Sequence, residues 1–175
     1  MSKKSRQILY FVIGLLASIG FDQWTKYLVV AKLKGNPPYV IWDGVFEFYY
    51  SENRGAAFGM LQGKQGFFFL VALIVIAGVI FLLLRMPPEK KYLPFMGCLF
   101  LLVSGAVGNM IDRLTQGYVV DFLYFKLIDF PIFNVADCYV VIATGLLIFL
   151  FFFVYKEEDL EFLSFGKKEK KENDN

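Results

Sequence analysis

Histidine is absent from this chain. Its absence removes Ser-His-Asp and Cys-His catalysis, and every histidine-ligated metal site with them. Cysteine is nearly absent. Cys98 and Cys138 are the only two, far apart, each in or beside an apolar run. They make neither a disulfide framework nor a zinc spacing, and read as small buried hydrophobes. Charge is scarce as well. Asp, Glu, Lys and Arg make up 19% of the chain and the net charge is +2, which leaves no case for a nucleic-acid partner. Any acid–base chemistry must use Asp, Glu, Lys, Tyr or water.

Apolar residues fill the gap. They are 57% of the 175 residues, a share that places the chain in the membrane class before any motif is read. A bilayer core needs roughly 20 apolar residues in helix. Four stretches qualify: about Ile8 to Ala31, Phe67 to Leu84, Leu93 to Ile111, and about Asp137 to Tyr155. The start, Lys3-Lys4-Ser5-Arg6, mimics a signal peptide. Its apolar run is long, no Ala-x-Ala follows, and Asp22 and Lys26 interrupt it, so it reads as a retained span. The expected fold is an all-α integral membrane protein with four transmembrane helices, one domain over residues 1–155. Outer segments fall at about 32–66 and 112–136, and a charged, solvated, partly disordered tail at 156–175.

Lys and Arg set the orientation. The N-terminus, the loop from Arg85 to Lys91 and the tail hold eleven of them; the other side holds five, leaving out Lys26 and Arg113 at span ends. Both termini are therefore expected in the cytoplasm. Asp22, Lys26, Asn109, Asp112, Arg113 and Asp137 then gather at the outer ends of their spans. Asn53, Arg54 and Asp121 lie in the outer segments beside them.

In the first outer segment, Tyr39 to Trp42 and Val45 to Tyr50 are β-prone runs around Asp43-Gly44, a two-residue hairpin signal. A small sheet lying on the membrane is expected there. Asp22 and Lys26 are spaced for an ion pair on one helix face, and Asp112-Arg113 invites the same reading. Arg113 also suits a lipid phosphate, a substrate carbonyl or the loop carrying Asp112 or Asp121. Asn134 is placed to cap the fourth helix with Asp137 at its third position. Asp121 has no such structural reason, because Tyr118-Val119-Val120-Asp121-Phe122 is apolar. A carboxylate there is costly unless paired or protonated. Sixteen residues from Asp121 to Asp137 suffice to fold back and bring the carboxylates together. Two such groups share a proton, and the pair activates water without metal or cofactor. On these residues alone, a cation-coupled transporter, an accessory packing protein, and a Ser/Lys peptidase using Ser18 or Ser51 with Lys26 remain as rivals.

Five blocks in order carry a resemblance. They are Asp22-Gln23-Trp24-Thr25-Lys26, Asn53-Arg54-Gly55-Ala56-Ala57-Phe58, Gly105-Ala106-Val107-Gly108-Asn109-Met110-Ile111-Asp112-Arg113, Val119-Val120-Asp121-Phe122, and Phe133-Asn134-Val135-Ala136-Asp137. Together, over about Ile8 to Tyr155, they resemble bacterial signal peptidase II, the lipoprotein signal peptidase family. The resemblance implies a monomeric aspartyl endopeptidase of the bacterial inner membrane, without cofactor or metal. Its substrates would be diacylglyceryl-modified prolipoproteins, cut just before the lipidated cysteine at the outer face. It also implies an extracytoplasmic β-sheet cradle, contact with membrane lipids, and inhibition by globomycin. Asp121 and Asp137 match the family's catalytic pair. Asp22, Lys26, Asn53, Arg54, Gly55, Gly108, Asn109, Asp112, Arg113, Asn134 and Ala136 match positions that line or support the site.

Overall fold

A computed structural model of the chain describes residues 1–55 and 64–163. Ala56, Ala57 and Phe58 of the second block and the tail beyond Leu163 lie outside the described residues. Among those described, four helices are long and apolar enough to cross a membrane. Helix α1 runs Lys3–Leu33, α2 Gln65–Arg85, α3 Leu93–Gln116, and α4 Val135–Phe149, which continues as a π-helical turn over Leu150–Val154. Their ends follow local chemistry. The Ser2 hydroxyl accepts the Ser5 amide at 3.0 Å to start α1. Gly117, at φ 81°, ends α3 in the left-handed conformation that favours glycine.

The helices alternate in direction, and α3 packs against each of the other three. Small residues make that approach possible. A Cβ on Gly105 would lie 2.5 Å from Val140 Cγ2 and 2.6 Å from the Ala136 carbonyl oxygen. Close backbone approach at small residues is how helices associate where no hydrophobic driving force separates them from their solvent. Outward faces stay apolar: Leu16 of α1, Ile74 of α2 and Val141 of α4 are all exposed. Such a surface suits lipid.

A three-stranded antiparallel sheet sits at one end of the bundle, in the order β1 (Tyr39–Trp42), β2 (Phe46–Asn53), β3 (Val119–Tyr124). The small sheet expected from the hairpin signal is present, with a longer turn. Trp42 pairs with Phe46, so the turn holds Asp43, Gly44 and Val45. A two-residue type I′ turn needs positive φ at both central positions. Here Gly44 alone of the turn residues has it, at φ 68°.

Strand β3 was not legible in the sequence. It lies against β2 with Ser51 opposite Asp121, and Val119 to Phe122 are all buried. Val120 and Phe122 pack with Val29 of α1, which leaves Val119 and Asp121 on the other face. At the opposite end of the bundle, the stretch expected to be a solvated tail is folded as far as Leu163. Glu157–Leu163 form 3-10 turns. Phe162 packs edge-on against Tyr92 and Phe95, and Lys91 pairs with Asp159 at 2.7 Å. Burial of Leu160, Phe162 and Leu163 against this cluster outweighs the polar character of their neighbours.

Candidate active site

Folding back of the chain between β3 and α4 rests on a bridge of two residues. Leu123 and Phe133 exchange amide–carbonyl hydrogen bonds of 2.8 and 3.1 Å. The intervening residues bulge out, and Asn134 arrives beside Asp121. Asn134 then caps α4. Its Oδ1 accepts the Asp137 amide at 3.1 Å, while the Asn134 amide donates to Asp137 Oδ2 at 3.1 Å. This is the capping box expected from the sequence. The same Asn134 side chain donates from Nδ2 to Asp121 Oδ1 at 2.6 Å. One residue thus touches both carboxylates.

Each carboxylate accepts a further side-chain amide. Asn53 Nδ2 donates to Asp121 Oδ2 and Asn109 Nδ2 to Asp137 Oδ1, both at 2.8 Å. Asn109 Oδ1 in turn accepts from Asn134 Nδ2 at 3.1 Å and Lys26 Nζ at 2.9 Å. Asp121 is only 2% exposed. Burial, and next the neighbouring Asp137 carboxylate, push its pKa up to about 7; the amides of Asn53 and Asn134 and the Lys26 ammonium pull the other way. A carboxyl group held near neutrality beside a second carboxylate can give and take protons at physiological pH.

A layer of ionic contacts stands behind this pair. Lys26 Nζ lies 3.0 Å from Asp22 Oδ2 and 3.0 Å from Asp112 Oδ2. The Asp22–Lys26 pair expected from helical spacing is therefore joined by Asp112, which was expected to pair with Arg113. Asp22 Oδ1 accepts the Ala136 amide at 2.9 Å, and Asp112 Oδ2 accepts the Val120 amide at 3.1 Å. Gly108 is where α1 and α3 meet, since a Cβ there would lie 2.5 Å from Asp22 Oδ2. Among the described residues, no cluster of three or more Asp, Glu or Cys side chains gathers to hold a metal.

Arg113 acts on Asp112 and Asp121 through charge, and its hydrogen bonds go to backbone carbonyls. Its guanidinium donates to the Gly55 carbonyl at 3.1 Å and lies over the Phe68 ring, 4.3 Å from the centroid. It ties the end of β2 to α2. Gly55 itself donates its amide to Asn53 Oδ1 at 2.9 Å, which orients the Asn53 amide toward Asp121. Arg54 stands apart from the pair. It is exposed, bonds Glu52 at 3.0 Å and stacks on Tyr118. Gln23 is the residue that sequence reasoning passed over. Its Nε2 lies 3.1 Å from Asp22 Oδ2, 3.1 Å from the Gly108 carbonyl and 3.0 Å from Asp112 Oδ1. The available signal was its place in the first block, at the i, i+3 spacing from Lys26 that puts two side chains on one helix face.

The pair opens onto a groove of about 820 Å³. Asn53, Asn109 and Arg113 surround its polar end. Phe68, Val71 and Val75 of α2 form one wall and Val140 and Val141 of α4 the other, over a floor of Leu102 and Ala106 from α3. Its shape and lining suit an apolar segment with one polar bond held at the carboxylates.

Comparison with known proteins agrees with the resemblance. The family model of signal peptidase II (peptidase A8) matches residues 14–153. A lipoprotein signal peptidase of Streptococcus thermophilus is 42% identical over 147 residues, which is 84% of this chain and 93% of that protein. One from Geobacillus thermodenitrificans is 40% identical over 159 residues, covering 89% and 98%. A bacterial membrane enzyme solved by the in meso method at 1.9 Å resolution aligns with a TM-score of 0.72 and 30% identity, covering 85% of this chain and 96% of that one. Another, at 2.3 Å, gives 0.71 and 28%, covering 92% and 95%. A family match over most of the chain, on a multi-pass helical fold with a small sheet, makes this chain a member of the signal peptidase II family, the lipoprotein signal peptidases.

Proposed function

We propose that this peptidase cuts diacylglyceryl-modified prolipoproteins just before the lipidated cysteine, using water activated by Asp121 and Asp137. The observation that carries the reading is Asn134. It bonds both carboxylates and so holds them at the polar end of an apolar groove. The groove receives the apolar signal segment. The acyl chains hold the cysteine at the membrane surface, so the scissile bond lies at the depth of the pair. Both termini face the cytoplasm and the sheet lies outside, as the eleven-to-five bias of Lys and Arg supports. The enzyme acts as a monomer, and globomycin-type compounds compete for the groove.

Near pH 7 the pair carries one proton. Asp137, at the α4 N-terminus and accepting the Asn134 amide and the Asn109 side chain, is the ionised member. It takes a proton from water as the water oxygen bonds the carbonyl carbon. Asp121 gives its proton to the carbonyl oxygen. When the carbon–nitrogen bond breaks, Asp137 returns its proton to the leaving amine and Asp121 regains one from the tetrahedral hydroxyl. The side-chain amides of Asn53 and Asn134 keep the Asp121 carboxyl in place through the cycle.

A Ser/Lys mechanism needs a neutral lysine beside a serine. Lys26 is instead enclosed by Asp22, Asp112 and Asn109. The test is cleavage of a lipidated prolipoprotein by purified protein in membranes. Asp121→Asn and Asp137→Asn are expected to abolish it, whereas Ser51→Ala and Cys138→Ala retain it. Full cleavage by either Asn variant would sink the dyad.

A further inference from the structure

We infer that Gln23 is a positioning residue for this reaction, the neutral cross-link of a clamp that sets how far apart Asp121 and Asp137 stand. The inference rests on the dyad reading. Its basis is a symmetry in the hydrogen bonds behind the pair. Asp22 accepts the amide of Ala136, the residue immediately before Asp137. Asp112 accepts the amide of Val120, the residue immediately before Asp121. Each supporting carboxylate therefore holds the backbone one step away from a catalytic one. The separation of Asp22 from Asp112 is passed on to α4 and β3.

Two side chains join those supporting carboxylates. Lys26 bridges Oδ2 of both, at 3.0 Å each. Gln23 bridges Asp22 Oδ2 and Asp112 Oδ1 and also meets the Gly108 carbonyl, all within 3.1 Å. Three acceptors around one atom fix which end of the amide points inward, because an oxygen there would face only other oxygens. Lys26 alone supplies charge at one side of the two carboxylates. The amides of Ala136 and Val120 and the Lys26 ammonium already engage the two carboxylates, and the Gln23 contact, on the other oxygen of Asp112, adds a second link between them. Gln23 does so without adding charge to a buried cluster that holds two carboxylates and one ammonium. A misplacement of about 1 Å costs roughly a hundredfold in rate, so a modest loosening of this clamp is felt at the pair.

The experiment compares wild type, Gln23→Met and Gln23→Glu in membranes with a lipidated prolipoprotein. Met fills the same space and removes both donors. We expect kcat to fall about tenfold with KM within about twofold, since Gln23 lies outside the groove. In Gln23→Glu a third carboxylate faces Asp22 and Asp112, with Lys26 the only cation among them. Activity relative to wild type should fall further at high pH and recover as pH is lowered, when the new carboxyl regains a proton it can donate. Hydrogen exchange reads the clamp without substrate: the Val120 and Ala136 amides should exchange about tenfold faster in Gln23→Met, in the manner of local opening. Wild-type kcat in both variants, a loss residing in KM, a flat pH ratio for Gln23→Glu or unchanged exchange at both amides would each overturn the inference. Absence of prolipoprotein cleavage by wild type would instead overturn the dyad reading, and the exchange result would still decide whether the clamp exists.

Discussion

Asn134 and Asp121, thirteen residues apart in the chain, meet at 2.6 Å, while the other end of the Asn134 side chain caps α4. Two jobs in one residue can be separated by substitution. Asn134→Ser keeps a capping oxygen and removes the amide donor, so it should fold with near wild-type stability and lose about ten- to a hundredfold in cleavage rate. Asn134→Ala should lose the same activity and also about 1 kcal/mol of stability. Thermal unfolding in detergent beside cleavage kinetics checks both, and equal stability of the two variants would count against the capping role.

Asp121 sets a pH dependence. Burial and the Asp137 carboxylate raise its pKa to about 7, so the proton that the proposed mechanism has it give to the substrate is lost as pH rises through that value. Cleavage should decline above about pH 7. Stability follows the same sign. The folded pKa lies above the ordinary 3.8, so the contribution is full below about 3.8 and lost as pH rises through about 7. Asn53→Ala removes a donor that favours the ionised form, and should move the alkaline limb of the profile to higher pH. A shift to lower pH would contradict the assigned cause.

Glycines on α3 divide by what surrounds them. Gly105→Ala and Gly108→Ala each place a Cβ 2.5 Å from a neighbour, Val140 Cγ2 and Asp22 Oδ2 respectively. The Ala136 carbonyl oxygen, 2.6 Å from a Cβ on Gly105, is backbone, and Asp22 is fully buried, so each variant should lose about 1–3 kcal/mol. Gly108→Ala should also lose cleavage, since Asp22 holds the residue before Asp137. Gly78 of α2 and Gly145 of α4 meet nothing within 4 Å. Alanine at either should be neutral or stabilise by up to about 1 kcal/mol. Denaturation midpoints of the four variants make the comparison.

Lys26 pairs with both Asp22 and Asp112 in a setting where Lys26 is 3% exposed and Asp22 fully buried. Lys26→Met leaves two buried carboxylates without their cation, and should cost about 3–5 kcal/mol together with activity. Adding Asp22→Asn and Asp112→Asn to Lys26→Met should recover much of the stability. Failure to recover it would show that packing, and not charge, holds this layer.

Helical periodicity, capping and turn chemistry act over a few residues, and whatever depends on them was present in the chain itself. Four spans, the capping box at Asn134 and Asp137, the Asp22–Lys26 pair and the first two strands belong to that class. The motif blocks added the family. Tertiary structure alone decided the rest. Asp112 turns to Lys26 and not to the adjacent Arg113, Arg113 turns to Gly55, and Val119–Tyr124 becomes a strand because β2 offers it an edge. Asp22 and Ala136 are 114 residues apart, and Asp112 and Val120 belong to different elements. A buried donor or acceptor must find a partner wherever packing brings one within about 3 Å. No local pattern encodes that choice, and it is by such choices that two aspartates sixteen residues apart come to lie side by side.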